Sequence, residues 1–484
     1  MHRKRYLFLA LILTVVLAGA GIASAQDAAP AQGPDGAQTA QPAPAMDQQA
    51  EQPAPILTQP APAPVADDGG ISGPFDLERC VTRALNANPS MTGIRAQLQG
   101  AQFGENSALG KFGPALKGTY GYTYYDRKYT SSNEHSDWVG SLNLTQPVFT
   151  GFNLLAGWQK SKLNKESTEA QLTNVELTLV ESVQSNFLSL LKARMDVKSA
   201  EDSVARLESQ LKVTTAFYDV GLRPKAEVLD AEVDLATAKQ ELLRARNNVS
   251  TQEAQLNTLL NIPIEAEVEY VGELKYIPFD LSLRDCLTRA YANRPDLLIG
   301  QKSVDMAQKD VTMAESSFYP QVDATWDYVN RGDDPGLNGG GAYSERASEY
   351  WTAGVGASMD IFQWGSDYYN SRQFAQVVKQ MEAELENTRL NAGFEVKRSL
   401  LNIQEAADRI SVAQKSVVAA EEAYRMAVAR YQAQVGTNTD VLNAQERLTF
   451  AEAQLSQALA DYGTAVSALY VAMGEKNLGL KEIK

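Results

Sequence analysis

The chain of 484 residues carries 59 acidic against 44 basic side chains, a net charge of -15. A field of that sign opposes nucleic acid as a partner, because phosphate backbones are bound by an excess of Lys and Arg. With only two histidines and two cysteines, and with His135, Cys80 and Cys286 far apart, the chain is poorly supplied for a zinc site or a Cys/His nucleophile; no catalytic residue, metal or cofactor is expected.

Residues 1–25 begin with Arg3-Lys4-Arg5, continue with an apolar run from Leu7 to Ala18 and end in Ala23-Ser24-Ala25. That order reads as a secretory signal peptide with an A-x-A cleavage site, and the run is shorter than the ~20 apolar residues a membrane-spanning helix needs. Residues 26–74 hold ten of the 19 prolines and twelve alanines, with no Lys, Arg or aromatic residue. Such a stretch cannot bury enough apolar surface to offset its ordering entropy, so a disordered tether is expected.

Beyond the tether the chain is a tandem duplication. Leu77-Glu-Arg-Cys80-Val-Thr82 recurs as Leu283-Arg-Asp-Cys286-Leu-Thr288, and Phe112-x-Pro114 recurs as Phe318-x-Pro320, all at an offset of 206. Past the next segment the offset becomes 213: Phe149 matches Phe362, Tyr218 matches Tyr431, and Val228-Leu229-x-Ala231 matches Val441-Leu442-x-Ala444. The second copy has gained seven residues, which the Gly-rich stretch 331–348 can hold. The copies run over 75–263 and 281–474, leaving a short tail, 475–484.

Each copy reads as helix, two strands, long helix, shorter helix. Residues 75–110 and 281–318 are helical in composition. Tyr120/Tyr122/Tyr124, Trp138/Leu142/Leu144, Val322/Ala324/Trp326/Tyr328 and Trp351/Ala353/Val355 alternate with polar or small residues at period two. A lipid-facing strand of a barrel needs ~9–11 residues and carries aromatics near the interfaces; the competing reading is a soluble hairpin packed on a core. The stretches 152–218 and 365–431 contain no proline, and each 67-residue run makes a helix of about 100 Å. Heptad spacing of Val197, Val204, Leu211 and Tyr218, and of Ile410, Val417, Tyr424 and Tyr431, suggests coiled-coil seams. The flanking helices, near 75–110 and 226–260, stack end to end alongside.

Four strands cannot close in lipid, since every edge N–H and C=O must be paired. Two chains supply eight strands and three supply twelve, and an open lumen favours three.

Here the residues resemble the TolC-like outer membrane efflux proteins, over about 75–474. The carriers are Leu144-Thr-Gln-Pro-Val-Phe149-Thr-Gly151 with Met359-Asp-Ile-Phe362-Gln-Trp-Gly365, and Tyr218-Asp-Val-Gly221…Glu227-Val-Leu-Asp230 with Tyr431-Gln-Ala-Gln-Val-Gly436…Asp440-Val-Leu-Asn443. The resemblance implies an α/β membrane protein: a homotrimer with a long antiparallel α-helical barrel in the periplasm and a 12-stranded transmembrane β-barrel in outer-membrane lipid. It implies a periplasmic adaptor and an inner-membrane pump or ABC exporter as partners. The function implied is an exit duct for efflux or type I secretion. A periplasmic coiled-coil spacer without a pore is the alternative, which the Trp/Tyr strands disfavour.

The helical turns carry the candidate site. Gly221 and Gly436 are expected to end helices in the left-handed conformation, with Pro224 in the first turn of the next helix; by resemblance they are docking candidates for the adaptor. Also by resemblance, Asp440 and Asn443 belong to an entrance ring, with Glu227 and Asp230 at the matching sites of the first copy. Repulsion within such a ring would raise its pKa values and attract cations; the plainer reading is that these acids favour a helix start. A tyrosine–carboxylate contact that helps close the tip in relatives maps to Tyr431 and Glu227, with Tyr218 and Asp230 beside it. The arginine that assists in some relatives corresponds to Gly436, and Gln434 stands where the first copy has Gly221.

Cys80 and Cys286, at equivalent positions, read as small buried apolar residues too distant for a disulfide. Gly104…Gly110-Lys111 misses the P-loop spacing and has Phe112 for its Ser or Thr. Asp334…Asn338-Gly339…Glu345 has the length of an EF-hand loop, but Gly336 replaces a ligand; an extracellular loop is expected there.

Overall fold

The computed structural model describes residues 73–126, 136–332, 334–337 and 349–480. The leader, nearly all of the tether, most of the expected extracellular loop (338–348) and the last four residues lie outside them.

The first repeat comprises α1 (Leu77–Ala87), α2 (Pro89–Gly110), β1 (Ala115–Tyr124), β2 (Ser136–Thr150), α3 (Asn153–Asp219) and α4 (Lys225–Leu259). The second comprises α5 (Leu283–Asn293), α6 (Pro295–Glu315), β3 (Gln321–Gly332), β4 (Glu349–Ser358), α7 (Ser366–Gln432) and α8 (Asn438–Ala472). Every start in the second repeat matches the first at 206 through β3 and at 213 from β4. The insertion is therefore confined between β3 and β4.

Both long helices have the expected 67 residues, shifted by one. The opening helix of each repeat is broken, which the composition does not reveal. Pro89 and Pro295 lack an N–H for a continuing helix and begin new ones instead, after Asn88 and Arg294 in extended conformation. Asn88 joins the pieces, accepting from Ser90 N at 2.8 Å and donating to Leu259 O at 2.9 Å. The end of α4 thus abuts the start of α2, and the two run in line beside α3. In the second repeat Arg294 takes this part, pairing with Asp296 and Glu395 and donating to the carbonyl of Ala472 at 3.2 Å.

Two apolar cores lie at these junctions and correspond by the same offsets. Cys80, Val183, Phe187, Leu190, Leu256 and Leu260 in one match Cys286, Val396, Leu400, Ile403, Leu469 and Met473 in the other. Both cysteines are free and buried, and burial pushes the Cys80 thiol up to about 12. The connector between repeats pairs Tyr270 with Phe75 through a parallel bridge, and the Tyr270 hydroxyl donates to Asn257 at 2.5 Å.

Past α8, Gly474 at φ +74 places its backbone against that of Asn293; an added Cβ would lie 2.7 Å from the Asn293 carbonyl carbon. Gly474→Ala meets both a left-handed conformation and unyielding backbone, so a loss of about 1–3 kcal/mol or more is expected. A lowered thermal midpoint of the detergent-solubilised protein checks it; an unchanged midpoint refutes it.

The four strands form one antiparallel sheet in the order β1-β2-β3-β4. The register sets Tyr122 opposite Trp138, Leu144 opposite Trp326, Tyr328 opposite Trp351 and Trp326 opposite Ala353. All these residues share one face. A bulge between Pro147 and Phe149 shifts the parity, so that Phe149 joins them opposite Val322. The other face is polar: Thr119 meets Ser141 at 2.6 Å, and Asn143 donates to Asp327 at 2.5 Å. Both edges, β1 and β4, lack a pairing strand among the described residues. No helix among these residues is long and apolar enough to cross a membrane.

Candidate functional site

The site is built on the turns α3–α4 and α7–α8, at the end of the helices remote from the sheet. In the first turn Leu222 N donates to Phe217 O at 2.8 Å and Gly221 N to Tyr218 O at 2.9 Å. This is a Schellman closure with Gly221 left-handed at φ +75. Pro224 stands just before α4 rather than in its first turn. The same bonds recur in the second turn, from Val435 N to Arg430 O and from Gln434 N to Tyr431 O, both at 3.0 Å. There Gln434, not Gly436, is the left-handed residue, at φ +64. This corrects the expectation for Gly436: the chirality requirement falls three residues after Tyr431, as it does after Tyr218.

Gly436 serves another purpose. It is buried, and a Cβ there would lie 3.2 to 3.3 Å from Arg430 and the Tyr431 nitrogen. Its carbonyl accepts from Arg223 Nη2 at 2.7 Å. It is not an accessible docking residue within the chain. The exposed surface at the turns is Val220 and Leu222 beside Gly221, and Val435, with Val220 and Val435 each 68% exposed.

Tyr431 is fully buried. Its hydroxyl lies 3.1 Å from Glu227 Oε2 and 3.2 Å from Thr214 Oγ1, and burial raises its pKa, with the Glu227 carboxylate adding to the rise. Phe217 packs against its ring at 5.6 Å. Arg223, which sequence reasoning overlooked, completes the cluster. Its guanidinium sits 5.1 Å from the Tyr431 ring centroid, 3.5 Å from Glu227 and on the Gly436 carbonyl. The arginine at this cluster thus comes from the first turn, and position 436 holds glycine. The spacing of Arg223 and Glu227, four residues apart at a helix start, was the available signal.

The remaining candidates are dispersed around this cluster. Tyr218 is exposed and is not brought onto an acid in the way Tyr431 is. Asp440 occupies the third position of α8 in a capping box: its carboxylate accepts from Thr437 N at 3.0 Å, and its N–H donates to Thr437 Oγ1 at 3.2 Å. Those bonds hold the carboxyl below its ordinary range. Asn443 is exposed on the next turn of α8. Asp230 is exposed on α4, and its charge, with that of Glu446, adds to the burial that raises Asp234.

From Tyr431 a polar seam continues between α3 and α8, one of the helix pairs that join the two repeats. Gln210 donates to Asn438 at 2.7 Å, Gln445 to Ser203 at 3.1 Å and Ser456 to Asp196 at 2.8 Å. Arg206 pairs with Glu452 at 3.3 Å, and Ser199 donates to the same carboxylate. The buried positions of α3 here are Ser203, Leu207, Gln210 and Thr214. The heptad is real, but the expected Val197, Val204 and Leu211 are only half-buried and Tyr218 is exposed. In α7, Ile410 and Tyr431 are buried as expected, with Val417 and Tyr424 half-buried.

A duplicated helical body joined to an antiparallel sheet of opposed faces defines a class of membrane channel proteins. The family model described as outer membrane efflux protein matches residues 80–261 and 286–475, and the chain belongs to that family. It is a protein of the outer membrane, with its helical body in the periplasm. Toxin and drug export protein A of Aggregatibacter actinomycetemcomitans is 22% identical, over 82% of this chain and 86% of that one. Outer membrane efflux protein BepC of Brucella suis is 22% identical, over 84% and 87%. Among solved structures, the outer membrane protein VceC of Vibrio cholerae aligns with a TM-score of 0.70 at 19% identity, covering 82% of this chain and 96% of that chain.

Proposed function

We propose that three copies of this chain close a 12-stranded barrel and a continuous helical tunnel. The assembly is a passive exit duct for substrates delivered by an inner-membrane pump or ABC exporter through a periplasmic adaptor. The observation that carries the reading is the sheet: its aromatic face suits lipid, its hydroxyl- and carboxylate-bearing face suits a lumen, and its two free edges require closure. The names of relatives, one for toxin and drug export, support efflux and secretion alike. A pore-free periplasmic spacer would have no use for the aromatic face.

At the tip, Tyr431, Glu227 and Arg223 form the closing latch, with Thr214 behind it. Asp440, with Asn443 one turn on, lines the entrance ring. Exposed Val220, Leu222 and Val435 around Gly221 form the adaptor's docking surface.

The test is reconstitution of the full mature chain in planar bilayers, where a cation-selective channel of low resting conductance is expected. Asp440→Asn lowers cation selectivity and block by divalent cations, because three like charges around one axis focus a negative potential. Since Thr437 depresses the Asp440 pKa, its stabilisation of the α8 start is present above the unfolded carboxylate value and is lost as pH falls through the lower folded value. Selectivity and block unchanged in the Asn variant remove Asp440 from the ring. Recovery of the chain as a water-soluble monomer without detergent overturns the duct.

A further inference from the structure

The junction between the repeats contains a close fit. Gly151, left-handed at φ +59, brings its α-carbon against the turn that ends α6; a Cβ there would lie 2.5 Å from Ser316 O and 2.9 Å from Tyr319 Cβ. Phe152 then packs edge-on against Tyr319 at 5.6 Å, and Asn153 donates to Ser316 at 3.1 Å. Here glycine is the hollow, and Ser316 and Tyr319 fill it.

The second repeat has the same backbone without the fit. Trp364 and Gly365 are the counterparts of Gly151 and Phe152, and both are left-handed, at φ +51 and +82. A tryptophan in that conformation is strained, yet among the described residues it has only the neighbouring Phe362 ring against it, at 5.2 Å, and Trp364 is 90% exposed, Ile361 91% and Phe362 71%. The counterparts of Ser316 and Tyr319 are Gly110 and Gly113. Neither is left-handed, and a Cβ meets nothing within 4 Å at Gly110 and only ordinary contact, 3.4 Å, at Gly113. Among the described residues nothing requires glycine at either place. The sizes are reversed, with a tryptophan where the first junction has glycine and glycines where it has a serine and a tyrosine.

The strands show the same vacancy. β2 stays paired with β3 to its last residue, Thr150, whereas β4 stops at Ser358, five residues short of the equivalent Gln363. The segment that would continue β4 is the one exposing Ile361 and Phe362.

We propose that a second copy of this chain occupies this vacancy: Trp364 of one subunit seats over the Gly110–Gly113 hollow of the next, while residues 353–362 extend along its β1. This rests on the trimeric reading and is continuous with the interface already formed between β2 and β3. Transferring that register across the subunit boundary sets Ala357 opposite Tyr120, Val355 opposite Tyr122 and Phe362 opposite Leu116. Small residues then face tyrosines, and the aromatic face runs unbroken around the closed sheet.

The test uses the full chain in outer membranes and in detergent. Ala357→Cys combined with Tyr120→Cys yields a disulfide-linked trimer ladder on oxidation, whereas Ala357→Cys with Tyr124→Cys, four residues out of register, does not. Gly113→Tyr lowers the heat-resistant trimer at least tenfold, and adding Trp364→Gly, which copies the first junction, restores it. The proposal is overturned by an intact trimer in which the first cysteine pair stays unlinked, or by a Gly113→Tyr defect that Trp364→Gly leaves unrepaired. A light-scattering mass of one chain for the unsubstituted protein overturns the trimer itself. The outcomes therefore separate the two claims.

Discussion

Arg223→Ala is expected to raise the resting conductance of the reconstituted channel well above that of the unsubstituted protein. The side chain makes three contacts at once: an ion pair with Glu227, a hydrogen bond to the Gly436 carbonyl and a face contact with Tyr431. Both charged groups are largely shielded, at 17% and 19% side-chain exposure, so salt screens them less than a surface pair. Hydrogen bonds to charged groups contribute about 1.5–3 kcal/mol. Losing that from the closed state alone shifts the closed-to-open ratio by about tenfold or more, at about 1.4 kcal/mol per decade. Tyr431→Phe removes only the hydroxyl, with a smaller increase of the same sign. Arg223→Gln can keep the bond to the Gly436 carbonyl but not the charge, and should fall between the two. Arg425→Ala, on the exposed surface of α7 where it pairs with Glu422 at 2.7 Å, serves as the control. A closed-state current unchanged in Arg223→Ala would remove the latch from Arg223.

The second large effect is expected in the sheet. Trp326 lies midway along β3 on the aromatic face, opposite Leu144 and Ala353. Trp326→Arg would place a charge in lipid at a cost of about 2–4 kcal/mol per chain near the midplane, repeated in each subunit. Insertion into the outer membrane should fail or yield trimers that dissociate at much lower temperature. Thr325→Arg, one residue away and on the polar face opposite Thr145, should insert and instead alter conduction. Equal tolerance of the two substitutions, read by membrane fractionation and heated gels, would mean that the sheet does not have a lipid side.

How far sequence reasoning reaches depends on whether the signal is periodic or local. Proline-free runs of 67 residues fix the long helices to within one residue, and alternation locates all four strands. The breaks before Pro89 and Pro295 escape it because helical composition continues through them. The seam between α3 and α8 is misplaced by a search for apolar residues, since three of its four buried α3 positions are Ser203, Gln210 and Thr214, with Leu207 the fourth. At the tip, the pairing of Tyr431 with Glu227 is anticipated by resemblance, whereas Arg223 is not, because the resemblance points to an arginine in the second turn. Gly436 misleads for a related reason: glycine suggests chirality, but here it permits close packing while Gln434 carries the positive φ.

The chemistry of the α3–α8 seam has a bearing on wear. Two hydrocarbon surfaces pulled apart in water are driven back together or onto whatever greasy surface lies nearby. Amides, hydroxyls and carboxylates, by contrast, can exchange one another for water at modest cost. A joint rich in such groups, Gln210, Asn438, Ser203 and Gln445, can therefore part and reseat without fouling, while the apolar cores midway along α3 and α7 hold each repeat together.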